Sequence, residues 1–136
     1  MKIATWNVNS MKVRLPHVME WMQANEPDVL VLQEIKQVTE AFPAAELLEA
    51  GYQSLANGQK TYNGVAVISK TALADPVIEF PGFDDPQRRV LATTIDGVRV
   101  VNLYIPNGSE VGSEKYDYKL RWLATLRDFL EDEMSR

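Results

Sequence analysis

The run Asp28-Val29-Leu30-Val31-Leu32 constrains this chain more than any other segment. A short apolar run between polar neighbours marks a strand covered on both faces. Such a strand demands further layers, and the flanking sequence offers them. Residues 2–8 alternate Ile3, Thr5 and Asn7 with Ala4, Trp6 and Val8, the pattern of a strand that ends in a polar loop. A helix is predicted over residues 15–25, with Leu15, Val18, Trp21 and Met22 on its buried side. Pro16 falls in its first turn and Pro27 ends it.

Downstream the pattern is antiparallel. Residues 43–50 read as a short helix stopped by Gly51. Residues 52–56 and 64–69 pair after a turn at Asn57-Gly58, and residues 90–95 and 98–105 flank Asp96-Gly97, a strong hairpin signal. The stretch 75–87 holds Pro76, Pro81 and Pro86 and reads mostly as loop. Residues 115–134 form a long helix whose apolar stripe is Leu120, Leu123, Leu126, Leu130 and Met134. With no repeat, low-complexity run or linker, residues 1–136 form a single unit. The class is α/β: a mainly antiparallel sheet with helices on one face. Its other face must be buried as well, and the chain supplies little to cover it.

Composition narrows the function. A hydrophobic content of 46% with 24% charged residues is that of a soluble globular protein. No apolar run approaches the ~20 residues of a membrane span. The N-terminus passes straight into a strand, so no signal peptide is expected. The absence of cysteine excludes disulfides and thiolate metal sites, which makes an intracellular location the default. Any metal must bind oxygen or the single imidazole. The net charge of -5 argues against a sequence-blind DNA coat, because phosphate contacts leave a basic footprint. It does not argue against local grip on one strand. Acidic residues gather near the C-terminus, while Lys12, Arg14, Lys60, Arg88 and Arg89 lie in or beside predicted turns.

Four polar residues stand where strands end: Asn7, Asn9, Glu34 and Tyr104. Strand ends along one rim are where scattered residues converge into a site. Glu34 follows the buried run, and a carboxylate held there suits a hard ion such as Mg²⁺, with water and substrate phosphate as the other ligands. An equally weighted reading makes it a cap, or an ion-pair partner of Lys36. Asn7 and Asn9 are also natural turn formers, Tyr104 suits a core or an interface, and His17 reads as a helix-surface residue.

Read in order, several segments carry a resemblance. They are Trp6-Asn7-Val8-Asn9-Ser10, Leu32-Gln33-Glu34-Ile35-Lys36 and Tyr62-Asn63-Gly64-Val65-Ala66-Val67-Ile68-Ser69-Lys70. Gln87-Arg88-Arg89-Val90, Asn102-Leu103-Tyr104-Ile105-Pro106-Asn107-Gly108 and Tyr116-Asp117-Tyr118-Lys119-Leu120-Arg121-Trp122 follow. As a set they resemble the N-terminal motifs of exonuclease III-type apurinic/apyrimidinic endonucleases, within the endonuclease/exonuclease/phosphatase superfamily. The resemblance implies that Glu34 is a metal-ligating glutamate and that Asn7 orients the site beside it by hydrogen bonds. It implies that Tyr104 contacts the scissile phosphate. Asn9 stands where some relatives carry an aspartate near a second metal, and it lacks that charge. Asn9, Lys12, Tyr62, Arg89, Asn107 and Lys119 match positions that border the DNA, although each also reads as a surface charge or turn residue.

The same resemblance sets the wider expectations. The chain is the N-terminal half of a domain, one half of a four-layer α-β-β-α sandwich whose partner sheet lies outside the sequence. The family's Gly-Asp-x-Asn segment, paired aspartate and Asp-His pair find no match; Gly82-Phe83-Asp84-Asp85 is in the wrong place. The full-length protein is expected to cleave double-stranded DNA 5′ to abasic sites and to remove nucleotides from 3′ ends, using Mg²⁺ or Mn²⁺. It is expected to act as a cytoplasmic, bacterial-type monomer with no membrane partner. Residues 1–136 alone are expected to be inactive and to self-associate through a bare sheet face. Two alternatives stay open: a same-fold phosphatase or phosphodiesterase acting on phosphoinositides, lipids or RNA, and a non-catalytic fragment. The Arg88-Arg89 pair and the Tyr62-Asn63-Gly64 turn favour DNA.

Overall fold

The strand read first from the sequence, β2 (Val29–Gln33), lies inside a sheet, as its unbroken apolar run requires. The computed structural model describes residues 1–136. Around β2 the chain runs β1 (Ile3–Asn7), α1 (Met11–Asn25), a 3₁₀ turn (Thr39–Ala41), α2 (Ala44–Glu49), β3 (Gln53–Asn57) and β4 (Val65–Ser69). Then follow β5 (Ala74–Val77), β6 (Val90–Ile95), β7 (Val98–Leu103) and α3 (Glu114–Met134). The first sheet has the order β1-β2-β4-β3, with β1 and β2 parallel and the other pairs antiparallel. The second is an antiparallel β5-β6-β7.

Two sheets correct the expectation of a bare face. The hairpin β6-β7 does not extend the first sheet; it lies over it. Val29, Val31, Val65 and Val67 on the inner face of the first sheet meet Leu91, Ile95 and Val100 from the second. On the outer face, Leu30, Leu32, Ala66 and Ile68 pack with Met11, Val18 and Met22 of α1 and Leu47 of α2. Beyond the second sheet, Val90 and Ala92 pack against Trp122 and Phe129 of α3. All four layers of an α-β-β-α sandwich are therefore present within these residues. The sequence signal was there: β4 and the start of β6 are apolar on both faces, which only a doubly covered strand needs. Strand pattern alone does not say which edges pair and which faces stack.

Two boundaries and part of one helix face also differ. Helix α1 begins at Met11 because Ser10 caps it, its hydroxyl accepting from the Val13 amide at 3.3 Å. Pro16 thus lies inside the helix rather than in its first turn, and costs it one backbone donor. Part of the proline-rich stretch is strand β5. Its register shifts between Ala74 and Val77, so Pro76 sits at an irregularity on an edge strand, where its missing N–H is tolerated. In α3 the buried stripe centres on Trp122 and Phe129, while Leu120 is 48% and Met134 82% exposed. Leu123, Leu126 and Leu130 pack against this core as expected, and Phe80, from the loop after β5, lies 5.3 Å by ring centroid from both Trp122 and Phe129. No helix is long and apolar enough to cross a membrane.

Candidate active site at the rim of the two sheets

The loops at one rim are tied together by their own backbones. The Val8, Ser10 and Met11 amides donate to the Gln33, Glu34 and Ile35 carbonyls at 2.8–3.0 Å. Ile35 and Lys36 donate onward to Gly64 and Asn63, Gly64 donates to Arg88, and Tyr104 donates to Arg89. This belt runs from the end of β1, past the end of β2 and the start of β4, to the start of β6 and the end of β7. It joins both sheets.

The belt is also strained. Of ten non-glycine residues with positive φ, Asn9, Ser10, Glu34, Lys36, Thr61 and Asn63 belong to these loops. Such conformations cost on the order of 1–3 kcal/mol each and persist where surrounding structure enforces them. Glu34, at φ 57°, has no turn-forming side chain to ease the strain. Gly64 (φ +92°) is required twice over, because a Cβ there would fall 2.5 Å from Ile35 Cγ1.

Beneath the belt, polar side chains fix the sheets to each other. Asn102 of β7 is buried and donates from Nδ2 to the Leu32 and Ala66 carbonyls, both at 2.9 Å. Its Oδ1 accepts from Gln33 Nε2 at 2.9 Å, and Gln33 also donates to Thr5 Oγ1 at 3.0 Å. Sequence reasoning did not single out Gln33 or Asn102. The available signal was an amide at the end of the apolar β2 and another in β7 beside Val100, Val101 and Leu103.

On this foundation Tyr104, just past β7, donates its phenol hydrogen bond to Glu34 Oε1, just past β2. Burial first, and then that hydrogen bond, raise the phenol pKa; the Arg89 cation offsets part of the rise. The guanidinium of Arg89 lies 4.9 Å from the centroid of the Tyr104 ring, and its Nη1 donates to the Tyr104 carbonyl at 3.1 Å. Glu34 makes no ion pair with Lys36. Lys36 Nζ instead reaches Asn9 Oδ1 at 2.5 Å. Asn7 pairs in register with Gln33, which places it next to Glu34 along the rim. It makes no hydrogen bond to Glu34; its Oδ1 accepts from the Asn9 amide at 3.2 Å.

The other expected site residues are scattered by comparison. Lys12 is exposed on α1, and Tyr62 is 68% exposed on the loop before β4. Asn107 is exposed and accepts from the Ser109 amide, while Lys119 lies with its aliphatic stem against Gly108. Arg89 is half-buried and turned inward. His17 is exposed on α1, as expected, and lines a hollow of about 610 Å³ with Trp6, Arg14, Glu20 and Trp21. That hollow holds neither Glu34 nor Tyr104.

A metal can be tested against these donors. No three Asp, Glu or His side chains cluster closely enough to chelate an ion, so a closed protein cage does not fit. One carboxylate with a neighbouring carboxamide does fit a hard divalent ion that keeps water and takes phosphate oxygens as ligands.

A four-layer α-β-β-α sandwich with a carboxylate and a phenol joined across its rim defines a class. The sequence matches the endonuclease/exonuclease/phosphatase family over residues 4–134, and the chain belongs to that family. Among curated proteins it is 34% identical to exodeoxyribonuclease III of Haemophilus influenzae, covering 98% of this chain and 52% of that protein. Among solved structures it superposes on a 3′ phosphatase from Neisseria bound to a product DNA hairpin. That match has 51% identity and a TM-score of 0.98, and covers 100% of this chain and 53% of the other. An AP endonuclease from Archaeoglobus fulgidus gives 39% identity and a TM-score of 0.93, over 97% of this chain and 51% of its own. The chain spans about half the length of each of these relatives.

Proposed function

We propose that this chain provides one side of the active site of a DNA-repair hydrolase that cleaves phosphate esters at DNA 3′ ends and cuts the backbone 5′ to abasic sites. The observation that carries the reading is the Tyr104 to Glu34 hydrogen bond, held across two sheets at a strained rim. Glu34, with Asn7 beside it, would hold Mg²⁺ or Mn²⁺. When bound, that ion would supply Lewis-acid charge at the phosphate. Tyr104 keeps its proton at neutral pH, and with DNA bound that single O–H would turn from Glu34 to the phosphate oxygen where negative charge grows. Lys12, Tyr62, Asn107 and Lys119 would border the DNA backbone. The groups that activate the water are the part of the chemistry these residues do not assemble. They are assigned in this reading to the rest of the family's length.

The 51% identity with a 3′ phosphatase bound to DNA favours 3′-end processing as the main activity. Abasic-site cleavage is the second reading, favoured by the 39% identical AP endonuclease. Double-stranded DNA as partner makes a cytoplasmic, bacterial-type location part of the same proposal, with the full-length protein a monomer. The test offers the full-length protein one duplex with a 3′ phosphate and one with an abasic site, with Mg²⁺, with Mn²⁺ and with EDTA. Phosphate release and strand cleavage that depend on the ion are expected. Release from inositol phosphates or lipids, with both duplexes untouched, would overturn the proposal.

A further inference from the structure

The side chain of Arg89 has been counted among the DNA contacts by resemblance, yet the structure commits it inward. Its Nε donates to Gln87 Oε1 at 2.9 Å and its Nη1 to the Tyr104 carbonyl at 3.1 Å. Its guanidinium carbon lies within cation–π reach of two rings, 4.9 Å from the Tyr104 centroid and 5.7 Å from that of Tyr118. Tyr118 is fixed in turn: its Oη donates to Asp85 Oδ2 at 2.5 Å, and its ring packs into the α3 core beside Trp122. The other Asp85 oxygen accepts from the Gln87 amide at 3.0 Å, closing the loop that presents Gln87 to Arg89. A continuous series of contacts thus joins the second turn of α3 to the Glu34 carboxylate.

We propose that Arg89 is a positioning residue, and that Tyr118, Asp85 and Gln87 form the bracket that holds it over Tyr104. The inference rests on the catalytic reading of Tyr104 given above. A phenol on a loop end can swing about two side-chain torsions. A guanidinium lying against its ring and bonded to its own carbonyl removes that freedom. Before DNA binds, one Glu34 oxygen then faces the phenol, which leaves the other for an ion. A planar, always-charged guanidinium suits this task, and lysine does not replace it. The alternative role for Arg89 is a phosphate ligand, which demands a side chain free to turn outward.

Two measurements separate the roles. In this chain, the Arg89 Nε–H resonance should exchange slowly with water, and Tyr118→Phe, which keeps the ring and its packing, should speed that exchange. In the full-length protein, Arg89→Lys should lower turnover at saturating DNA by on the order of 10²-fold, the typical cost of a small misplacement. KM and the salt dependence of DNA affinity should hold. A phosphate ligand would behave differently: its loss reduces the slope of log affinity against log salt by about one. That change with turnover retained, or a fast-exchanging Nε–H in the unaltered chain, would overturn the proposal. If the full-length protein processes no DNA at all, the nuclease reading falls, while the exchange measurement still decides whether the bracket exists.

Discussion

Tyr104 and Glu34 are 70 residues apart in sequence and lie at the ends of strands in different sheets, yet the phenol of one donates to the carboxylate of the other. The contact exists because β7 stacks over the first sheet with its end beside the end of β2. It joins the two side chains to which the proposed function gives the cation and the phosphate. Four expectations follow from the surrounding structure.

Replacing Glu34 by glutamine keeps the shape and removes the charge. Mg²⁺ affinity in the full-length protein should fall by at least the ~10–100-fold typical of losing a supporting partner at a metal site. Activity should return only at high Mg²⁺. A titration of cleavage rate against Mg²⁺ checks this, and an unchanged curve removes Glu34 from the metal site.

In the proposed reading, replacing Tyr104 by phenylalanine removes one donor to the phosphate. Turnover should fall by about 10²–10³, with DNA affinity nearly unchanged. The pH dependence carries a sign. The folded-state pKa lies above the ordinary 10.0, so the proton stays on through neutral and mildly alkaline pH. The stabilisation from its hydrogen bond is fully present below pH 10 and is lost as pH rises through the raised value. Comparing tyrosinate absorbance of the parent and Tyr104→Phe during alkaline titration isolates this phenol. A titration below pH 10 would contradict the geometry.

Trp122 is fully buried at the centre of the α3 interface, between Phe80 and the second sheet. Trp122→Ala should destabilise the fold by about 3–5 kcal/mol. Leu120→Ala, on the exposed side of the same helix, should change it by less than about 0.5 kcal/mol. Urea unfolding of both variants tests which stripe faces the core.

Residues 1–136 alone should show no nuclease activity, since they gather no cluster of carboxylates and imidazoles around a metal. Self-association should also occur, but through edges and not through a sheet face. Strand β1 is an edge of the first sheet, with Ile3 48% exposed on its inner side. Strand β7 is an edge of the second, with Val98 45% exposed. Ile3→Lys places a charge on an open edge and should shift the chain towards monomer in ultracentrifugation. Cleavage of abasic DNA by a stable monomer of this chain would contradict both halves of the expectation.

Much of this architecture was legible in the residues. The doubly apolar β2, the Asp96-Gly97 hairpin and the polar strand ends all carry local signals, and they led to Glu34 and Tyr104. Stacking was not legible. An alternating strand such as β7 reads the same whether it extends a sheet or lies over one, so the second sheet went unseen. The α3 stripe was legible in part: Leu123, Leu126 and Leu130 pack inward, but Leu120 and Met134 do not, and the aromatic centre around Trp122 depends on Phe80, from a loop over 40 residues upstream. The inward commitment of Arg89 was hidden for a similar reason. Its partners Tyr104 and Tyr118 become neighbours only after α3 has docked.

The link between Gln33 and Asn102 has a consequence for the conditions under which the rim can work. Both are amides, and an amide neither gains nor loses a proton across the range where carboxylates, imidazoles and phosphates titrate. Gln33 immediately precedes Glu34, and Asn102, near the end of β7, lies two residues before Tyr104. The spacer that sets the separation of the Glu34 and Tyr104 side chains is therefore chemically mute. Acidity can change what Glu34 and Tyr104 carry without changing how far apart their anchors stand.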